Sequence, residues 1–204
     1  MLTNAQKNVL IHAARIRLDQ GEDIREVFRS YANLSDEEKQ EILSYFSLPP
    51  IEPGLEEVKS QKILELSAAC RKAIEAGVTL EIDGISQRFP YSLSDGDQNN
   101  IAALFYISRA TGLPQPYHCQ GGSCRLYSPD QLAALYIAEE ANKAAQETYF
   151  NQLKLFILET FMKEEDIPQL KAVSYGDPLT GKYLDNYNSI VAQNQETIQV
   201  LSSP

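Results

Sequence analysis

The stretch that most constrains the fold is LPPIEPG, residues 48–54, where three prolines and a glycine fall close together. Proline cannot continue a helix, because its ring fixes φ and removes the amide donor, and Gly54 leaves the backbone free. We therefore expect no regular element to cross this stretch. The sequence predicts a linker at residues 49–54 between domains at residues 1–48 and 55–192, with an extended or flexible tail at residues 193–204.

The first domain is predicted to be a small helical domain. Thr3, Asp23 and Ser35 each stand three residues before a Gln or Glu, which is the spacing of a capping box at the start of a helix. Apolar residues follow each of these starts at helical spacing.

The second domain begins with a predicted helix at residues 55–76, after which the apolar period changes from helical to alternating. If Asp83 and Gly84 form a two-residue primed turn, Ile82 pairs with Ile85 and Val78 pairs with Phe89. Apolar and polar side chains then separate onto opposite faces. This pattern is typical of a half-buried antiparallel hairpin.

A second hairpin is predicted around HCQGGSC, residues 118–124. With Gly121 and Gly122 as the turn, Cys119 lies opposite Cys124, and Tyr117 lies opposite Leu126. Ser128 then caps a long helix that runs to about Met162. The predicted fold class is α+β: a small amino-terminal helical domain, then two β-hairpins forming a small four-stranded antiparallel sheet packed with helices, one of them long.

Cys119 and Cys124 are a candidate thiol pair. A zinc site needs four ligands, and no second pair of ligands exists in the chain. A catalytic thiol needs a base or cation beside it, whereas the predicted hairpin places both thiols on its apolar face. The two remaining interpretations are a redox pair, which the spacing across the hairpin permits, and two buried thiols that act as small apolar groups. We expect free thiols and no stoichiometric metal.

Two further motifs fail as binding loops. SDGDQNN, residues 94–100, lacks the glycine and the final glutamate of a calcium loop, and GDPLTGK, residues 176–182, lacks the first glycine and the final Ser or Thr of a phosphate loop. The sequence therefore predicts no catalytic residue, no cofactor and no small-molecule ligand, and we expect a protein that is not an enzyme.

Composition limits the class of partner. The net charge of −10 argues against binding to nucleic acid or to an anionic membrane, since both depend on clustered Lys and Arg. No stretch is apolar enough for a membrane span or a signal peptide, and three cysteines do not describe a disulfide framework. We expect synthesis in a cytoplasm.

A candidate interface lies on the long helix. Residues 149–162, YFNQLKLFILETFM, carry large apolar side chains almost all the way round. We expect a second apolar cluster over residues 149–190, with Leu155, Leu158 and Met162 on the side that a partner or another subunit covers. The alternative is that the amino-terminal helices fold back over this side.

The order of features from Leu64 to Val191 resembles a domain of uncharacterised function that is common in phage and prophage tail proteins. The resemblance rests on AIEAGVTLEIDGISQRF, DGDQNNIAAL, YHCQGGSCRLYSPDQLAAL and SYGDPLTGKYLDNY. It implies a non-enzymatic structural or assembly component of a phage tail, in the baseplate or tail-fibre region, or of a phage-derived particle. The implied partners are other tail proteins or further copies of the chain, and the implied location is the virion tail after synthesis in the host cytoplasm. The alternative is a cytoplasmic adaptor outside any particle.

Overall fold

The computed structural model describes residues 2–47 and 53–202. The chain divides into two compact units, Met1–Gly54 and Leu55–Pro204. Most of the predicted linker lies outside the described residues. Each unit has an apolar core of its own.

The first unit is helical, with α1 at Asn4–Asp19, α2 at Ile24–Arg29 and α3 at Asp36–Ser44. Thr3 and Ser35 form the predicted capping boxes. Asp23 caps α2 differently, because its carboxylate accepts the amide of Arg25. The core consists of the buried side chains Ala14, Ile24, Phe28, Ile42 and Leu43.

The second unit is built on one long helix. Its helical elements within the described residues are α4 at Leu55–Glu75, α5 at Asp97–Thr111, α6 at Pro129–Thr160, a 3-10 turn at Glu164–Asp166, α7 at Ile167–Ala172 and α8 at Gly181–Ser202. Ser128 and Gln131 form the predicted capping box of α6, which is 32 residues long. Helices α4, α5 and α8 all pack against α6.

The prediction of an extended segment from residue 193 is wrong, because α8 continues to Ser202. The physical reason is a stripe of half-buried side chains that recur at helical spacing on a helix packed against α6. These side chains are Tyr183, Tyr187, Val191, Asn194 and Ile198.

The first hairpin joins β1, Val78–Ile82, to β2, Ile85–Phe89. Its predicted register is confirmed, since Val78 pairs with Phe89 and Ile82 pairs with Ile85. Asp83 and Gly84 have φ of 56° and 75°, as a primed turn requires.

The second hairpin joins β3, Gln115–Tyr117, to β4, Arg125–Tyr127. Its predicted register is wrong by one residue, because Tyr117 pairs with Arg125 rather than with Leu126. A one-residue shift exchanges the two faces of a strand. Tyr127 is therefore buried, and Leu126 is 68% exposed.

The α+β class is confirmed, but the predicted four-stranded sheet is wrong, because the hairpins form separate two-stranded sheets. Side chains and one backbone contact join them. Gln120 N–H donates to the carbonyl of Arg88 at 2.8 Å. The buried amide of Gln87 accepts hydrogen bonds from the Tyr127 hydroxyl at 2.8 Å and from Arg125 at 3.2 Å.

Candidate functional site

An exposed apolar stripe at the carboxy-terminal end of α6 consists of Leu155 and Leu158 on the helix and of Met162, two residues after the helix ends at Thr160. Their exposed fractions are 40%, 40% and 67%. The spacing of three residues places Leu155 and Leu158 on one side of the helix axis. Met162 lies outside this helical spacing, because Phe161 has an extended backbone. All three predicted interface residues are therefore exposed, and Leu155 and Leu158 share one side of α6.

The opposite side of α6 is buried in the apolar cluster predicted for residues 149–190. Leu153, Ile157 and Phe161 pack there with Leu170, Val173 and Leu179 from the carboxy-terminal segment. Helix α4 contributes Leu55, Val58 and Leu66, which the prediction did not include. These contacts cover the inner side of α6 and leave the apolar stripe uncovered.

The end of the stripe is fixed by backbone hydrogen bonds. Asp166 accepts the amide N–H of Lys163 at 2.9 Å and that of Met162 at 2.8 Å. These two bonds stabilise the carboxylate and lower the pKa of Asp166. Glu164 of the same turn accepts the amide of Leu55 at 3.2 Å, which ties the start of α4 to this end of α6.

The candidate thiol pair does not have the predicted geometry. Cys119 and Cys124 lie in the connection between β3 and β4, outside the paired residues, so the predicted opposition across the hairpin is wrong. Gly122 N–H donates to the carbonyl of Cys119 at 3.0 Å, which closes a turn one residue earlier than expected. Both residues are free cysteines; Cys119 is half-buried and Cys124 is exposed.

A buried carboxyl group on α6 was not predicted from the sequence. Glu139 is fully buried. Its Oε1 accepts the amide of Val78 at 3.1 Å, and its Oε2 has no hydrogen-bond partner among the described residues. The missed signal was its position four residues after Leu135 and seven after Leu132, on the face that packs into the core.

The pKa of Glu139 is raised to about 7, and burial is the largest cause. The carboxylates of Asp97 and Glu140 contribute to this rise, while the Val78 amide and Arg88 oppose it. Beside it, the hydroxyl of buried Tyr91 donates to Glu140. Burial also raises the pKa of the Tyr91 hydroxyl. This phenol therefore keeps its proton and donates a hydrogen bond throughout the ordinary pH range.

The hydrogen bonds around this acidic group connect elements of the second unit. Across residues 2–47 and 53–202, no three His, Cys, Asp or Glu side chains are placed to hold a metal ion. The polar contacts instead join elements, with Glu139 linking α6 to β1 and Lys143 donating to Gln98 of α5 at 3.1 Å. We interpret the group as a buried polar network that positions the first hairpin and α5 on α6.

Comparisons with protein-family models, with curated proteins and with solved structures find no match. The resemblance to phage tail proteins therefore stays a prediction. No helix in the described part of the chain is long and apolar enough to cross a membrane.

Proposed function

We propose that the protein is a non-enzymatic structural or assembly component of a phage tail, or of a phage-derived particle, and that it acts through protein–protein contacts. The observation that supports contacts of this kind is the apolar stripe of Leu155, Leu158 and Met162, which is exposed at the end of a well-anchored helix. The sequence resemblance supports the tail context. The proposed partner is another tail protein or a second copy of the chain.

The energetic argument is that exposed apolar side chains favour a covered state. Full burial of one Leu or Met side chain stabilises by about 1.5–3 kcal/mol, so three partly exposed side chains contribute a few kcal/mol in a complex. Association costs several kcal/mol in lost translational and rotational freedom. The stripe is therefore the centre of a larger contact, and polar surface around it supplies the rest.

Two double variants test the interface. Leu155→Lys with Leu158→Lys places two charges in the stripe, and Leu64→Lys with Leu113→Lys makes the same change at exposed leucines of α4 and of the segment after α5. Light scattering and pull-down of co-expressed tail proteins should show association that the stripe variant loses and the control keeps. The interface is wrong if the stripe variant associates like the unchanged chain, or if all three chains are monomeric and capture no tail protein.

A second experiment tests the particle. Particles purified from cells that encode the protein should contain the chain at a fixed ratio to other tail proteins by quantitative mass spectrometry. Recovery only in incomplete tails would assign an assembly role. If the chain is found neither in purified particles nor in incomplete tails, the result would contradict the proposal and favour a cytoplasmic adaptor.

A further inference from the structure

A cavity of about 300 Å³ lies between the second half of α6, α7 and the segment that leads into α8. Its walls include Leu153, Val173 and Leu179, which are all buried. The outer wall is Pro178, Leu179 and Thr180, from the GDPLTGK motif that does not form a phosphate loop. Pockets that bind small molecules are concave and mostly apolar and carry a few polar groups, and this volume is at the lower end of their range.

Hydrogen bonds hold the outer wall in place. The Tyr149 hydroxyl donates to the carbonyl of Asp177 at 2.7 Å and accepts the amide of Gly176 at 2.9 Å. The carboxylate of Asp177 accepts the amide of Ser174 at 2.7 Å. The cavity is therefore formed before any ligand arrives, which lowers the cost of binding.

Three aromatic rings line the cavity in edge-to-face pairs. The ring of Phe156 lies 5.6 Å from that of Phe161 and 5.7 Å from that of Tyr183, at interplanar angles of 81° and 84°. Aromatic rings prefer such perpendicular or offset neighbours. A further ring in the cavity would find favourable contacts of the same kind.

The charges around the cavity disfavour an anionic ligand. The ammonium of Lys182 contacts the Glu159 carboxylate at 2.6 Å, and the Tyr183 hydroxyl donates to the same carboxylate at 2.8 Å. Lys182 therefore already has an anionic partner. The exposed side chains of Asp177 and Thr180 at the rim offer hydrogen-bond acceptors.

We propose that this cavity binds a small uncharged aromatic molecule that carries one hydrogen-bond donor, such as a phenol. The ring packs between Phe156, Phe161 and Tyr183, and the donor points to the rim at Asp177 or Thr180. This site is independent of the apolar stripe and of the proposed tail function, and it differs from the sequence prediction that the protein has no small-molecule ligand.

The test uses the full chain with p-cresol as the probe and 4-methylbenzoate as its charged counterpart. Titration followed by NMR should show saturable shifts at the methyl groups of Leu153, Val173 and Leu179, with direct contacts from the p-cresol ring to those methyls. 4-Methylbenzoate should bind at least about tenfold more weakly, because its carboxylate would lie near that of Asp177 and because Lys182 is already paired with Glu159.

Ala172→Phe fills the cavity from its exposed wall, and Ala134→Phe makes the same change at an exposed alanine of α6 outside the cavity. The first variant should weaken p-cresol binding at least about tenfold, and the second should leave it unchanged. The proposal would be overturned if both variants bound p-cresol equally well or if the titration did not saturate. It would also be overturned if p-cresol contacted another part of the protein or if 4-methylbenzoate bound more tightly than p-cresol. If Ala172→Phe fails to fold, the ring-to-methyl contacts in the unchanged chain decide alone.

Discussion

The protonation state of Glu139 affects the stability of the second unit. Its pKa rises from an ordinary value of 4.5 to about 7 on folding, because the charged form is desolvated. The folded state therefore binds the proton more tightly than the unfolded state. The resulting stabilisation is fully present below pH 4.5 and is lost as the pH rises through 7.

We predict that the free energy of unfolding falls by about 2.5 kcal/mol between pH 5 and pH 8 because Glu139 ionises. Glu139→Gln, which keeps an acceptor for the Val78 amide and carries no charge, should remove this fall. Urea unfolding at several pH values measures it. Glu147→Gln, at an exposed position two turns along the same helix, should keep the pH dependence of the unchanged chain. The same pH dependence in Glu139→Gln would show that another group is responsible.

At the residue scale, sequence could predict side chains whose role depends on near neighbours. Thr3, Ser35 and Ser128 cap helices through residues three positions away, so their capping boxes were predictable. Helical spacing after Leu132 and Leu135 places Glu139 on the buried face of α6, but its hydrogen-bond partner, the Val78 amide, lies 61 positions earlier and could not be predicted from that spacing.

At the element scale, the two hairpins show why one register could be predicted and the other could not. Asp83 and Gly84 both take positive φ, so the turn sets the pairing of the strands around it. Of Gly121 and Gly122, only Gly121 has a positive φ, so the expected primed turn does not form. Tyr127, which donates to Gln87 of the first hairpin, is buried in the register that the chain adopts, and this contact is not visible in the local pattern.

Gly77, between α4 and β1, is predicted to be the least replaceable glycine of the first hairpin. A Cβ atom there would lie 1.8 Å from the carbonyl oxygen of Phe89, and its φ is 66°. Gly77→Ala should therefore destabilise the protein by at least about 3 kcal/mol or prevent folding, because backbone atoms must move.

Gly112 provides the control for this substitution. Its φ is 69°, and an added Cβ would meet nothing within 4 Å. Gly112→Ala should cost only the strain of the left-handed conformation, about 1–2 kcal/mol. Similar melting temperatures for the two variants would show that the close approach at Gly77 relaxes without cost.

At the scale of the whole molecule, the separate cores lead to a prediction about fragments. Residues 55–204 contain both apolar clusters of the second unit, and residues 1–54 contain the five core side chains of the first. We predict that residues 55–204 made alone keep their helical circular dichroism and melt within a few degrees of the corresponding transition of the full chain. Limited proteolysis of the full chain should cut first within residues 48–54. Aggregation or unfolding of the fragment would show that the units depend on each other.

The α+β fold class could be predicted because its sequence signals are periodic. The cavity beside α6 could not be predicted. Apolar side chains at helical or alternating spacing indicate helices and strands whatever lies elsewhere in the chain. The cavity depends instead on how residues 174–180 lie against α6, and that path is set by contacts such as Tyr149 with Gly176 across 27 positions. Contacts of this kind leave no pattern in the local sequence.

Cys124, in the connection between β3 and β4, is a suitable position for an imaging label. Of the three cysteines, Cys70 is buried, Cys119 is half-buried and Cys124 is exposed. A maleimide-linked gold cluster or fluorophore could therefore be attached at Cys124 once Cys119 has been replaced by serine. In electron micrographs of a larger assembly, the label would mark the position and the number of copies of this chain without a fusion partner.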